Sequence, residues 1–299
     1  MKKLVFIIAL AFIFSCNQNN FPAKTAIANT EIQNDRQQTI LAGHCSVSVF
    51  DSAPYKTWFD KSYNEYAVDT SSAAKLKPLL KDKTLEVFLG SWCGDSKREV
   101  PRLIKILNYV HFDTAQLQLI FVNNSTAAYK QSPQHEEKNK FIHHVPTIIV
   151  YSKKQEQGRI IESPVVSLEK DLLSILTSQD YVPQYKAAAY WHTTVKGKEH
   201  LMSDSNLAQL ALILKPLSNA MHEFNALGYV VLAQKKYAEA INIFKLNTLL
   251  YPDNAGTFDS LAEAYMVKGD NNNARYYYKK VLEMKPGDEN AIKMLQKLK

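Results

Sequence analysis

Hydrophobic and polar positions divide the chain into stretches with different periods. Residues 4–14 (LVFIIALAFIF) are almost wholly apolar and follow Lys2 and Lys3. A bilayer span takes about 20 apolar residues, so this run is too short for one. A positive start, a short apolar core and a small residue, Ser15, before a cut make a secretory signal over residues 1–15. Residues 16–42 hold many Asn, Gln, Thr and Ala with no apolar period, which predicts a solvated tether. Tyr55, Trp58, Phe59, Ser62, Tyr63 and Tyr66 then recur at steps of three and four, one face of a helix. Such an aromatic stripe is read as core or docking surface. A second helix is predicted over residues 71–81 through Leu76, Leu79 and Leu80.

The middle of the chain alternates between strand and helix periods. Leu85–Leu89 reads as a strand, and Val100, Leu103, Ile104, Leu107 and Val110 as one helix face. Leu117–Val122 reads as a further strand, and a helix capped by Ser167 runs to Leu176. Residues 179–204 contain Pro183 and little periodicity, so they read as a connector, with Tyr190 and Trp191 placed to pin it to a neighbouring domain.

The last third repeats itself. A shift of 34 residues lays Phe224 on Phe258, Leu227 on Leu261, Gly228 on Ala262, Ala240 on Ala274, Phe244 on Tyr278 and Pro252 on Pro286. Small residues let two helices cross closely, and proline stops the second helix. Repeats are placed at 221–254 and 255–288, after a helix around Leu207–Leu217. A capping helix at 289–299 is expected to turn Ile292 and Leu295 inward. This period and pattern resemble the tetratricopeptide (TPR) repeats. That resemblance implies a concave groove for protein partners, with Asn225, Tyr229, Asp259, Glu263 and Met266 facing it. The repeats are alternatively read as a brace for the neighbouring domain or a means of self-association.

Composition narrows the function classes. The chain has 299 residues, which suits two compact domains. Its net charge of +7 falls to +5 without Lys2 and Lys3, and the excess is spread thinly, so no nucleic-acid surface is expected. The three cysteines, Cys16, Cys45 and Cys93, are too few for a disulfide scaffold and lack zinc-site spacing. No glycine-rich phosphate loop, nucleophile elbow or paired metal motif is present, so no cofactor is called. Ile13-Phe14-Ser15-Cys16 resembles a bacterial lipobox, with Phe14 bulkier than usual and Ile13 in place of leucine. The resemblance implies acylation of Cys16 and a membrane-anchored protein of the cell envelope, facing the periplasm or the exterior.

Cys93 stands where a strand hands over to a helix. Unpaired N–H groups and the helix dipole there stabilise a thiolate, while Asp95 opposes and Lys97 and Arg98 offset. Trp92-Cys93-Gly94-Asp95-Ser96 resembles the thioredoxin active-site loop, and Pro101 matches that family's helix proline. Val145-Pro146-Thr147 with Ile148–Tyr151 resembles its cis-proline loop and the strand that follows, and Gly158–Ile161 resembles its returning hairpin strand. The resemblance covers about residues 43–178 and implies an α/β thioredoxin-like domain ordered strand, helix, strand, helix, strand, strand, helix, followed by the all-α repeat domain. It also implies that Cys93 is the nucleophile, with Trp92, Gly94, Asp95, Ser96 and Pro146 around it. Ser96 replaces the family's second cysteine, which resolves the mixed disulfide. Four readings stand: a single-thiol mechanism with Ser96 hydrogen-bonding the thiolate, a redox-inert binding module, a Cys45–Cys93 pair, and a redox-sensing thiol. His143 and His144, if near the pocket, are read as loop-surface histidines or as groups tuning the thiol or binding a metal with it.

The lipid assignment predicts that Cys16→Ala moves the protein from the membrane fraction to the soluble fraction of cell lysates; continued sedimentation with membranes would refute it.

Overall fold

The computed structural model describes residues 28–298, apart from residues 178, 196 and 199–201. The signal segment and Cys16 therefore lie outside the described residues. Among the described residues, no helix is long and apolar enough to cross a membrane.

The first half is a mixed sheet with helices. Six strands lie in the order β1-β2-β4-β3-β5-β6. They are β1 (Thr30–Gln33), β2 (Thr39–Cys45), β3 (Lys83–Leu89), β4 (Leu117–Phe121), β5 (Thr147–Ser152) and β6 (Gln155–Ile161). The two central strands, β3 and β4, are parallel, with Val87 opposite Leu119. A parallel pair needs a crossover, and helix α3 (Gly94–Tyr109) supplies it. All other pairs are antiparallel.

Alternation along β3 separates two cores. Leu85, Val87 and Leu89 point into a cluster with Leu103, Leu107 and Val100 of α3 and Leu168, Leu172 and Ile175 of α4 (Leu168–Leu176). Phe88 points the other way, with Ile120, Ile149, Val122, Ile142 and Val145. Glu86 shares that second face and is kept there by Lys140 Nζ at 2.6 Å and by Tyr151 Oη at 3.1 Å. The aromatic stripe belongs to the first core. On α1 (Tyr55–Glu65), Phe59 stacks on Phe50 at 4.6 Å, and Trp58 meets Phe50 edge-on at 5.3 Å. Helix α2 (Thr70–Leu79) starts on an Asp69 cap, and α4 starts on the Ser167 cap expected from sequence.

Three stretches differ from the sequence reading. The expected tether 16–42 contains β1 and most of β2. Ile40, Leu41 and Ala42 are buried, and a hairpin on the sheet edge needs only a short apolar run. The expected connector 179–204 contains α5 (Lys186–Thr194), which buries Trp191 against Phe224. Between β4 and β5 there is no α-helix. A 3-10 turn at Thr126–Ala128 and a long loop take its place, with Lys130, His135, Asn139 and Phe141 in the left-handed region.

The second half is all helical: α6 (Asp204–Leu214), α7 (His222–Ala233), α8 (Tyr237–Leu250), α9 (Ala255–Lys268), α10 (Asn271–Met284) and α11 (Glu289–Lys297). Two helix hairpins, α7–α8 and α9–α10, occupy the two repeats. Repeat-matched residues form their seams, with Phe224, Ala240, Phe244, Leu261, Ala262, Ala274 and Tyr278 all buried. In α11 the inward side is Ala291, Met294, Leu295 and Leu298, while Ile292 is exposed, contrary to expectation. Ile292 is one residue, about 100° of rotation, past Ala291 and so turns off that face.

Gly228 shows why a small residue sits at the crossing. A Cβ there would lie 2.5 Å from the Phe244 ring. Gly228→Ala is expected to lower unfolding stability by about 1–3 kcal/mol in urea titration, because the ring has no room to retreat in a filled core. A neutral or stabilised variant would show that the two helices can part.

Candidate functional site

The turn Gly90-Ser91-Trp92-Cys93 links β3 to α3 and is held by a set of hydrogen bonds. The Cys93 N–H donates to the Gly90 carbonyl at 3.0 Å. Ser91 Oγ accepts from the Leu41 N–H at 3.0 Å, which ties the turn to β2. Trp92 Nε1 donates to the Val122 carbonyl at 2.9 Å, laying the indole along the end of β4. Cys93 is half-buried at the N-cap position of α3, and its thiol donates to the Val145 carbonyl at 3.1 Å. The next peptide, Val145–Pro146, is cis. Gly94 opens onto free space, since a Cβ there would meet nothing within 4 Å.

Trp92, Cys93, Gly94, Asp95, Ser96 and Pro146 are thus brought together, but Ser96 behaves differently from expectation. Ser96 is buried, and its Oγ accepts from the Gly90 N–H at 3.2 Å. The hydroxyl braces the turn instead of bonding the thiol. Asp95 is held by Arg98 at 2.6 Å, and Arg98 also reaches the buried Glu99 at 2.6 Å. The Asp95 charge is therefore compensated on its own helix.

Cys45 is no partner for Cys93. Both thiols are free. Cys45 lies in the core on the α3 side of the sheet, whereas Cys93 packs against the opposite core. Burial pushes the Cys45 thiol up to about 12, so it stays protonated and unreactive.

The loop before Pro146 supplies groups that sequence reading missed or misplaced. His143 and His144 are buried, not surface residues. Their Nδ1 atoms lie 2.6 Å apart, so one proton is shared between them. Burial holds both imidazoles well below the usual histidine range, and Lys130 adds to this in each case. Lys130 itself is buried, and its Nζ donates to the His143 carbonyl at 2.5 Å. Burial lowers its pKa to about 8, against the attraction of Cys93 and Glu162, which favours the ammonium. Nothing in the polar string around Lys130 marks it in the sequence.

The helical half forms a roof over this loop. The Tyr185 ring stacks on His144 at 3.9 Å, and its hydroxyl bonds Glu162. Phe141 packs on His192 at 4.0 Å, and Tyr129 meets Tyr229 of α7 at 6.4 Å. His222, in the first turn of α7, faces His144 across 5.9 Å between ring centres. The metal-type donors that converge are His144, Glu162 and His222, not Cys93 with the two loop histidines.

The expected groove is partly consumed by the chain itself. Tyr229 Oη donates to Glu263 at 2.6 Å, Asp259 accepts from Asn290 at 2.8 Å, and Met266 packs against the helical core. The Asn225 Oδ1 is buried without a partner. A cleft of about 630 Å³ lies between the loop and α7, lined by Gln131, Phe141, His143, Trp191, Leu227 and Val231.

Lys130 generates a pH signature. Its native pKa near 8 lies below the ordinary 10.5, so the unfolded chain binds more protons between those values. Stability attributable to Lys130 therefore rises with pH across that window. Relative to Lys130→Met, the wild type is expected to gain on the order of 2–3 kcal/mol between pH 7 and pH 10 in denaturant titrations. A difference independent of pH would show that the ammonium is hydrated in the folded protein. No protein-family model matches this chain, and no curated protein is found to be similar to it.

Proposed function

We propose that this protein is a thioredoxin-like, single-thiol protein of the cell envelope, tethered by a lipid on Cys16 and braced by TPR-type repeats that also offer a surface to protein partners. The observation that carries the reading is the Cys93 thiol at the start of α3, 3.1 Å from the Val145 carbonyl and beside the cis Val145–Pro146 peptide. The parallel β3–α3–β4 unit, flanked by antiparallel β5 and β6, supports the fold half of the proposal. The small residues at the helix crossings support the repeat half. The loop in place of a helix between β4 and β5 is a departure from the thioredoxin pattern.

Under this reading, the Cys93 thiolate attacks one sulfur of a substrate disulfide. A Cys93–sulfur bond forms, the substrate S–S bond breaks, and the other substrate sulfur leaves as a thiolate. With Ser96 in the resolving position, nothing within the turn can break that mixed disulfide. A second thiolate from outside, small or protein-borne, attacks it, forms a new disulfide with the bound sulfur and returns Cys93 as thiolate. No electrons are gained or lost overall, since a disulfide is exchanged for a disulfide. Trp92 walls the pocket, and the opening at Gly94 is the side from which a substrate sulfur approaches. Lys130 places a cation near the thiol at neutral pH.

A second reading, a binding scaffold without chemistry, draws on Ser96, whose hydroxyl is occupied in bracing the turn. Disulfide trapping separates the two. Incubated with glutathione disulfide, the wild type is expected to accumulate one stable mixed disulfide, seen by intact mass, that only added thiol removes. Cys45→Ala is expected to behave the same, and Cys93→Ser to form none. Lys130→Met is expected to slow the reaction about tenfold at pH 7. A wild type that reacts no faster than free cysteine would remove the chemical reading and leave the scaffold.

A further inference from the structure

We propose that His144, Glu162 and His222 form a site for a divalent metal ion of the zinc class, which clasps the helical half onto the sheet half beside Cys93. One ligand atom from each of the three lies within 4.8 Å of the other two. A closed tetrahedral site would bring such atoms to roughly 3.4 Å, given metal–ligand lengths of about 2.0–2.2 Å. Side-chain rotation covers that gap, because Glu162 is half-buried and His222 is exposed. Two imidazoles and one carboxylate suit zinc and neighbouring transition metals better than calcium or magnesium, which prefer oxygen alone.

The surroundings add three arguments. First, His144 is already oriented. Its Nδ1 engages Nδ1 of His143 at 2.6 Å, which leaves Nε2 as the free donor. A metal-bound imidazole ordinarily spends its second nitrogen in this way, on a neighbour that fixes ring and tautomer. Second, Tyr185 draws two of the ligands toward one point. The Tyr185 hydroxyl bonds Glu162 and lies 3.4 Å from His222 Nε2. Third, the backbone holding two of the ligands is rigid. The Glu162 N–H donates to the Pro146 carbonyl at 2.7 Å, and Thr147 Oγ1 donates to the His144 carbonyl at 2.7 Å.

The ligands come from places far apart in sequence. His144 precedes β5, Glu162 follows β6, and His222 opens α7. An ion held by all three fixes the roof relative to the residue next to His144, Val145, whose carbonyl receives the Cys93 thiol. Cys93 is not a ligand, so the proposal stands apart from the chemistry assigned to that thiol.

The test uses the full chain in detergent, stripped of metal, titrated with zinc against a chromophoric chelator and followed by thermal melting. One equivalent is expected to bind and to raise the melting temperature. His222→Ala and Glu162→Gln are each expected to weaken binding by at least about 30-fold and to abolish the thermal shift, with circular dichroism confirming the fold. Cys93→Ser is expected to bind as the wild type does. The proposal is overturned if the wild type takes up no zinc at micromolar concentrations, if His222→Ala binds like the wild type, or if Cys93→Ser loses the ion. Failure of disulfide trapping alone leaves the metal result untouched.

Discussion

The loop between β4 and β5 has to satisfy its backbone and charged groups without regular structure, and the rest of the molecule is arranged around how it does so. A buried segment with no helix or strand ladder must find a partner for each polar group separately. Here the Lys130 N–H donates to the Asn123 carbonyl at 2.8 Å, and Lys130 Nζ donates to the His143 carbonyl. Ser132 is held by Glu137 at 2.9 Å through its N–H. Lys140 is held by Glu86 on the sheet, and Arg159 of β6 donates to the Lys140 carbonyl at 2.5 Å. Ile142 and Val145 then close the second face of the sheet over Phe88 and Ile120. The same loop presents the Val145 carbonyl to Cys93 on one side and Phe141 and His144 to the helices on the other.

That arrangement gives the helical half a structural role close to the thiol. Tyr185, His222 and Tyr229 contribute to the surface that covers the loop, and α5 anchors there through Trp191. Residues that would face a partner in a free repeat array are partly engaged within the chain, as Tyr229 is with Glu263.

Ser96 has a local structural role. A hydroxyl at that position can accept a strong hydrogen bond from the Gly90 N–H, which a thiol does weakly. The turn is thereby braced from within α3. Together with the buried, protonated Cys45, this leaves Cys93 as the one candidate nucleophilic thiol among the described residues.

Sequence alone determined the pieces whose signals are local. Short apolar runs placed β3 and β4, the Ser167 cap placed α4, and the 34-residue self-match placed α7 to α10, because each is a pattern written along the chain itself. The turn from Trp92 to Ser96 and the loop at Pro146 were legible for the same reason. Tertiary structure alone decided what the polar residues do. The edge hairpin β1–β2 was hidden because β1 is short and mostly polar, and packing in the α3-side core is what buries Leu41. Lys130, His143 and His144 look like ordinary surface loop residues until the helices close over them, and burial then changes their charge preferences. Glu162, Tyr185 and His222 meet His144 only because the chain folds back across the sheet. Such a juxtaposition leaves no spacing in the sequence to find, since desolvation and long-range contact belong to the packed molecule and not to any window of residues.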